Sequence, residues 1–123
     1  CLGQAVAEAL GDKAGIRRYG SAAVPMEEAL AQVAMDLSGR AAVVYNVAFT
    51  GDKIGTFDVQ LVEEFLRRLA VTAEMNLHVN VPYGTNDHHV AEAIFKAFAQ
   101  AFRAAKAIDP ARKGQVPSTK GSL

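Results

Sequence analysis

Hydrophobic residues recur along most of this chain at helical or at strand spacing, and the two periods predict its elements. Segments 57–74 and 87–107 carry apolar residues three and four positions apart, as amphipathic helices do. Segments 41–49 and 76–81 are rich in Val or alternate between apolar and polar residues, which predicts strands. Residues 82–86 form the turn between the last strand and the last helix, and Asp87 is the expected N-cap of that helix.

The segment from Met26 to Leu37 fits two interpretations. Its first half, with Glu27, Glu28 and the alanines that follow, favours a helix by propensity. Its second half alternates between more and less apolar residues, which favours a half-buried strand. Because the turn at 38–40 leads directly into the strand at 41–49, a hairpin partner is favoured and we predict a strand over 30–37. A shorter strand precedes it within 16–25, and 50–56 is predicted to be a loop.

The predicted order from residue 16 onward is β-β-β-α-β-α, which is typical of an α+β fold with one sheet and two helices on one of its faces. Residues 2–10 also have helical spacing, ended by Gly11, but no capping residue precedes them. We therefore expect sequence upstream of Cys1 to be missing. Residues 109–123, which contain Lys, Gly, Pro, Ser and Thr, are predicted to be a loop-like tail.

Composition narrows the classes of function. Thirteen Lys and Arg balance thirteen Asp and Glu, whereas a protein that binds nucleic acid through its backbone charge is normally basic. No apolar run approaches the length of a membrane span. The single cysteine, Cys1, excludes an internal disulfide and a thiolate-rich metal site, which fits a reducing, cytoplasmic compartment.

The strongest candidate for chemistry is the sequence DHHVAEAIFK at 87–96. On a helix, Glu92 lies one turn after both His88 and His89, and Lys96 lies one turn after Glu92. Imidazole and carboxylate groups on one arc are ligands for Mn, Fe, Zn or Ni. Because adjacent histidines point about 100° apart on a helix, they suit two metals better than one. The alternative is a solvated His-His pair at the start of a helix.

His78 strengthens the metal interpretation. It lies on the polar face of the strand at 76–81, so that all three histidines fall within twelve positions, on either side of a short turn. An exposed strand residue is the simpler alternative. Cations form a second, weaker feature, since they could hold a phosphate or could be ordinary solvated surface residues. They are Arg17, Arg18, Arg40, Lys96 and the group at Ser118, Thr119 and Lys120.

Eight segments resemble, in order, the imidazoleglycerol-phosphate dehydratase family of histidine biosynthesis. They are LGDKAGIRRYGS (10–21), VPMEEAL (24–30), DLSGR (36–40), KIGTFD (53–58), LHV (77–79), NDHHVAEA (86–93), FK (95–96) and VPSTKG (116–121). The resemblance covers nearly the whole chain. It implies two similar β-β-β-α-β-α half-domains with the ribosomal protein S5 domain 2-like fold, a mixed four-stranded sheet with two helices on one face. Residues 16–108 match the second half-domain, and residues 1–15 match the last helix of the first half-domain. Residues 109–123 match a substrate-binding tail.

The resemblance also implies a site and an assembly. His78, His88, His89 and Glu92 would be ligands of two Mn²⁺ ions per active site, and five further residues would bind substrate, mainly its phosphate: Arg18, Arg40, Lys96, Ser118 and Lys120. The family forms trimers that assemble into a 24-mer with active sites between subunits. The first His-His-x-x-Glu motif, another metal-binding His and a catalytic Glu that acts as base would precede Cys1, and their absence is the main departure.

The implied reaction converts D-erythro-imidazoleglycerol phosphate to imidazole-acetol phosphate by loss of water. Two alternatives remain. One is a metal-binding half-domain that assembles with its missing N-terminal half but is inactive alone. The other is a metal-dependent phosphohydrolase, which suits the His, Glu and cation set but not the order of the motifs.

Overall fold

The computed structural model describes residues 2–112 and 114 and contains a four-stranded sheet, a small hairpin and three α-helices. In chain order the elements are α1 (Leu2–Leu10), β1 (Tyr19–Met26), β2 (Ala29–Asp36), β3 (Ala42–Asn46), β4 (Lys53–Ile54), β5 (Phe57–Asp58), α2 (Gln60–Ala73), β6 (Asn76–Tyr83) and α3 (Asp87–Lys106), followed by a 3₁₀ turn at Pro110–Arg112. The order β-β-β-α-β-α is confirmed, with the hairpin β4–β5 inserted before α2.

The main sheet is mixed and has the strand order β1-β2-β6-β3. β1, β2 and β6 are antiparallel neighbours, whereas β3 runs parallel to β6. A parallel pair needs a crossover connection, and α2 supplies it between β3 and β6. β2 therefore lies inside the sheet, which confirms a strand over most of the ambiguous segment at 26–37. The predicted hairpin with the strand that follows was wrong, because β6 lies between β2 and β3 and the hairpin partner of β2 is β1.

The core lies between one face of this sheet and the helices α2 and α3. Along β2 the side chains of Ala29, Ala31, Val33 and Met35 are buried and those between them are not, as the period of two requires. They join one cluster with Leu66 of α2 and with Ile94 and its neighbours on α3. The predicted α+β class, with both helices on the same face, is confirmed. The opposite face of the sheet is open and carries His78.

Small residues allow α3 to approach the sheet closely. Its buried face includes Ala93, Ala97, Ala101 and Ala105, which recur every four residues and are fully buried. Gly20 of β1 lies beneath them, and a Cβ atom at Gly20 would come within 1.9 Å of the carbonyl oxygen of Ala101. Phe98 and Phe102 of the same helix are only partly buried and stack on each other, with ring centroids 6.3 Å apart.

Several predicted boundaries were wrong. α2 begins at Gln60 rather than Phe57, because residues 53–58 turn back on themselves as β4 and β5. β6 continues to Tyr83, two residues past the predicted end at Val81. β1 begins at Tyr19 rather than at residue 16, and β3 is limited to Ala42–Asn46.

The N-terminal helix α1 packs against α2 rather than against the sheet. Gly3 is its one buried residue, and a Cβ atom there would lie 1.6 Å from the hydroxyl of Thr72 on α2. The helix was predicted, and its assignment to a preceding half-domain stays a prediction. Across the part of the chain that the structure describes, no helix is both long and apolar enough to cross a membrane.

Candidate metal and substrate site

The start of α3 carries most of the candidate ligands and is fixed by an unexpected cap. Asn86, not Asp87, is the N-cap: its side chain accepts a hydrogen bond from the backbone N–H of His89 at 3.1 Å. Asp87 is the first helical residue, and its carboxylate accepts the backbone N–H groups of Thr50 (2.8 Å) and Gly51 (2.9 Å). The prediction of Asp87 as cap was wrong because Asp and Asn are near-equal as caps and the loop at 50–51 recruits the carboxylate.

The hydrogen bonds at Asp87 affect its acidity. Partial burial works to raise the pKa of this carboxyl, but the bonds donated by Thr50 and Gly51 outweigh it, and the pKa is lower than usual. Asp87 therefore stays a carboxylate at neutral pH and ties the loop after β3 to the first turn of α3.

His88, Glu92 and Lys96 form a line along one exposed arc of α3, as their spacing predicted. The imidazole Nε2 of His88 lies 3.2 Å from one oxygen of Glu92, and the ammonium of Lys96 lies 2.9 Å from the other. The hydrogen bond from Lys96 is the largest cause of a lowered pKa at Glu92, so this group is a carboxylate at neutral pH. A nitrogen and a carboxylate oxygen are thus side by side and accessible to a cation.

His89 faces a different partner. Its ring lies 6.3 Å from that of His88, centroid to centroid, at an interplanar angle of 75°. Its Nδ1 lies 2.5 Å from Oε1 of Glu28, which belongs to the turn between β1 and β2. The side-chain hydrogen bond with His89, followed by the bond from the backbone of Thr85, lowers the pKa of Glu28 to about 2. His88 and His89 thus have different partners, and that the two rings serve different metal ions stays a prediction.

The sequence had not identified Glu28 as a site residue. It lies 61 positions from His89, and the ambiguity of segment 26–37 concealed that a tight turn would bring it to α3. The one available signal was its place in VPMEEAL, among the segments that carry the family resemblance.

His78 lies apart from the other candidate ligands within this chain. It is in the middle of β6, paired with Ala34 of β2, and it is exposed on the open face of the sheet. The five residues from there to the end of β6 at Tyr83 span about 16 Å. Among the described residues, no group of three or more His, Cys, Asp or Glu side chains could hold a metal ion. The turn at 84–86 therefore does not bring all four predicted ligands together.

The surroundings of His78 are polar. A chain of amide hydrogen bonds crosses the open face beside it, from Asn46 to Asn80 at 2.6 Å and from Asn80 to Gln32 at 2.9 Å. Within the described part of the chain, the ring of His78 makes no hydrogen bond or ion pair.

Arg18 lies at the far end of the molecule from the histidines on α3. Its backbone N–H donates to the carbonyl of Ala105, in the last turns of α3, at 2.9 Å. Seventeen residues of helix separate Ala105 from His88, which is about 25 Å. Its guanidinium forms a two-pronged ion pair with Asp36, at 2.6 Å and 3.1 Å, and lies over the ring of Tyr19.

Arg40 lies at the same end as Arg18, in the turn that follows β2, and is exposed. The neighbouring Gly39 donates its N–H to the carbonyl of Glu74, just after α2. The predicted substrate residues are thus divided: Arg18 and Arg40 are at one end of the sheet and Lys96 is on α3 beside Glu92. Ser118 and Lys120, together with most of the predicted tail at 109–123, lie outside the described residues.

Replacing Asp36 with Asn tests whether this ion pair holds Arg18 in place. Both side chains are mostly buried, with 14% and 16% exposed, so that removing the carboxylate leaves a partly buried guanidinium without its charged partner. We expect the free energy of unfolding to fall by about 1–3 kcal/mol in urea denaturation. The exposed pair Arg67–Glu63 is the control, because Glu63→Gln should cost less than about 1 kcal/mol. Equal losses at the two sites would contradict a special role for Asp36.

The fold and the helix-borne residues define a class: an α+β half-domain that presents a His-His-x-x-Glu motif at the start of its last helix. Comparison with known proteins is specific. The sequence profile of the imidazoleglycerol-phosphate dehydratase family matches residues 1–102. Curated imidazoleglycerol-phosphate dehydratases from Bacillus velezensis and Bacillus subtilis are 63% and 61% identical over 123 residues, which is 100% of this chain and 63% of each relative.

Solved structures agree with the sequence comparison. Imidazoleglycerol-phosphate dehydratase from Staphylococcus aureus superposes with a TM-score of 0.86 at 42% identity, covering 88% of this chain and 64% of that one. The enzyme of the same name (IGPD) from Pyrococcus furiosus superposes with a TM-score of 0.85 at 35% sequence identity. The match covers 99% of this chain and 65% of that one. The chain belongs to the imidazoleglycerol-phosphate dehydratase family. It spans less than two thirds of the length of these curated relatives.

Proposed function

We propose that this chain supplies part of the active site of an imidazoleglycerol-phosphate dehydratase, a hydro-lyase of histidine biosynthesis that acts in the cytoplasm. Its reaction would convert D-erythro-imidazoleglycerol phosphate to imidazole-acetol phosphate. The observation that carries the proposal is the exposed arc of His88 and Glu92, with His89 beside it, at the place in the fold where the family motif falls. Membership of the family supplies the substrate and the reaction.

The donor set on α3 fits a divalent cation such as Mn²⁺. Imidazole nitrogen and carboxylate oxygen together suit Mn, Fe, Zn or Ni, and the carboxylate of Glu92 is ionised at neutral pH. His88, His89 and Glu92 would be ligands from this side of the site, with the two histidines serving different metal ions. When bound, Mn²⁺ would act as a Lewis acid towards the nitrogens of the substrate's imidazole ring.

The separation of the candidate residues supports a site shared between copies of the chain. These regions cannot surround one small substrate within a single subunit, because His78 lies on the open sheet face, Arg18 and Arg40 lie at one end of the sheet, and the start of α3 lies at the other. In the proposed trimers and 24-mer, each active site would combine such regions from different subunits. The base that moves the proton would come from residues outside this chain.

Lys96, Arg18 and Arg40 would bind the phosphate of the substrate. Their roles differ, because Lys96 already lies 2.9 Å from Glu92 whereas Arg18 is held by Asp36. Lys96 would bring its charge next to the metal ligands, and the rigid Arg18 with the exposed Arg40 would receive substrate held by another subunit. Orienting a phosphate at a fixed distance from the imidazole ring places the reacting carbons for dehydration. Ser118 and Lys120 complete the proposed phosphate ligands.

Assay of the assembled protein with imidazoleglycerol phosphate and Mn²⁺ tests the proposal. We expect imidazole-acetol phosphate as product and, for Glu92→Gln, a loss of turnover and of Mn²⁺ affinity of more than about 100-fold, since the carboxylate is itself a ligand. Glu64→Gln, an equivalent change at an exposed position of α2, should leave both unchanged. Unchanged turnover in Glu92→Gln would contradict the site, and release of inorganic phosphate would favour a phosphohydrolase.

A second function is favoured by the separation of the predicted ligands, because no group of three or more His, Cys, Asp or Glu side chains among the described residues could hold a metal ion. The polypeptide would then be a metal-binding half-domain that becomes active only with its N-terminal partner. Dehydration by this polypeptide alone would contradict that alternative. An intact mass of the assayed material shows which case is being measured.

A further inference from the structure

Glu28 connects the turn between β1 and β2 to the segment that leads into α3. One carboxylate oxygen, Oε2, accepts the backbone N–H groups of Thr85 (2.8 Å) and Asn86 (3.2 Å). The other, Oε1, lies 2.5 Å from Nδ1 of His89. Both oxygens are therefore used, one for the backbone that enters α3 and one for the ring of a candidate metal ligand.

These contacts determine which nitrogen of His89 carries the proton. The carboxyl group of Glu28 is ionised at neutral pH, and a carboxylate can only accept hydrogen bonds. Nδ1 of His89 must therefore be the protonated, donating nitrogen. A neutral imidazole has one N–H group, and Nε2 is therefore left with a free lone pair. The main chain of His89 is fixed as well, because its N–H donates to the side chain of Asn86.

We propose that Glu28 is a positioning residue, which holds His89 in the Nδ1–H tautomer so that its Nε2 is available to a divalent cation. The inference rests on the proposed function in taking His89 to be a metal ligand. Hydrogen bonds from the second ring nitrogen of a metal-binding histidine to a carboxylate fix the ring orientation and raise its basicity as a ligand. Here the carboxylate comes from a turn 61 positions away and contacts the ring directly.

His88 is prepared differently. Its side chain is 65% exposed, against 28% for His89, and its Nε2 already faces the carboxylate of Glu92. No contact of comparable rigidity orients its ring within the part of the chain that the structure describes. The two adjacent histidines are therefore not equivalent, and His89 is the candidate ligand whose ring orientation is fixed by the fold.

Glu28→Gln gives a sharp test because the amide has one accepting oxygen instead of two. Two backbone N–H groups face Oε2, so the amide oxygen is expected to turn towards them. The amide NH₂ then faces Nδ1 of His89, which must accept, and the proton moves to Nε2. The variant keeps the size and shape of the side chain but reverses the tautomer.

The tautomer is measured on metal-free protein labelled with ¹⁵N-histidine, at an alkaline pH where the spectrum shows neutral rings. Solid-state NMR distinguishes protonated from bare ring nitrogens, and His89→Asn assigns the signals. We expect Nδ1–H for His89 in the native protein and Nε2–H in Glu28→Gln. Mn²⁺ affinity, followed by the EPR signal of free Mn²⁺, should fall by about 10- to 100-fold in Glu28→Gln.

Asp87→Asn is the matched control. It removes one negative charge from the turn of α3 that carries His89. The contacts of Asp87 are with Thr50 and Gly51 rather than with His89. We expect it to retain the Nδ1–H tautomer and to lose no more than about threefold in Mn²⁺ affinity.

Three results would overturn the inference: an Nε2–H tautomer in the native protein, an unchanged tautomer in Glu28→Gln, or equal losses of affinity in Glu28→Gln and Asp87→Asn. The first needs no variant, so that a folding defect cannot hide the answer. Failure of the proposed function would look different, since it would appear as an absence of dehydration in the native protein while the tautomers stayed as expected.

Discussion

Replacing His88 with Asn is expected to weaken Mn²⁺ binding at its site by more than about 100-fold, and to abolish dehydration of imidazoleglycerol phosphate, while leaving the metal-free fold intact. The imidazole is 65% exposed and its ion pair with Glu92 is 3.2 Å long, so that loss of the ring should change the free energy of unfolding by less than about 0.5 kcal/mol. Removing a residue that only hydrogen-bonds to a metal ligand lowers metal affinity by about 10- to 100-fold. Removing the ligand itself should cost more, so we expect the Mn²⁺ affinity to fall by more than about 100-fold.

Thermal or urea unfolding with and without metal separates the two effects. Mn²⁺ at about 100 times its dissociation constant should stabilise the native protein by about 2.7 kcal/mol, because the ion binds the folded state only. His88→Asn should show no such gain. Gln100→Asn places the same residue at another exposed position of α3 and should keep the full gain. If His88→Asn retained Mn²⁺ affinity within threefold, the assignment of His88 as a ligand would be wrong.

Local spacing was enough to predict the exposed arc on α3. His88, Glu92 and Lys96 are separated by four residues each, and a helix places such residues side by side whatever surrounds it. The alternation along β2 also held, although the hairpin with the next strand, which had favoured the same prediction, was wrong because β2 pairs with β1 and β6. Features that depend on a repeat of two or of 3.6 residues were therefore accessible from the sequence.

Contacts between distant segments were not accessible. Glu28 and His89 meet only because β2 lies next to β6 in the sheet, which brings the turn before β2 to the start of α3. The loop at 50–51 takes Asp87 away from the capping position in the same way. The hairpin β4–β5 was missed because each strand has only two residues, too few for an alternating pattern.

His78 shows the limit of reasoning about one chain. Its place on the polar face of β6 was predicted from alternation, and it is exposed there. Its convergence with the α3 ligands was inferred from a short intervening turn, but β6 continues for five residues beyond it and carries the chain away. In the proposed assembly a neighbouring subunit would complete the site, and no local pattern contains that information.

Replacing Gly20 with Ala should strongly destabilise the fold. The added Cβ would lie 1.9 Å from the carbonyl oxygen of Ala101 and 2.7 Å from the backbone nitrogen of Ala105. Both are backbone atoms of α3 and cannot rotate aside, so the last turns of the helix must move off the sheet. That movement would also disturb the hydrogen bond from the backbone N–H of Arg18 to the carbonyl of Ala105. We expect the free energy of unfolding to fall by about 3 kcal/mol or more.

Urea denaturation measures the effect, which should lower the midpoint by at least about 1 M. Gly51→Ala is the matched control, because its Cβ would meet only Asp87, at an ordinary 3.6 Å, in an exposed loop. There the change should alter stability by less than about 1 kcal/mol, and a slight gain is expected since Ala restricts the unfolded chain. A Gly20→Ala protein as stable as the control would mean that α3 does not rest on β1 through its alanines. The stability of α3 matters for function, because one end of this helix bears the metal ligands and the other holds the backbone of Arg18.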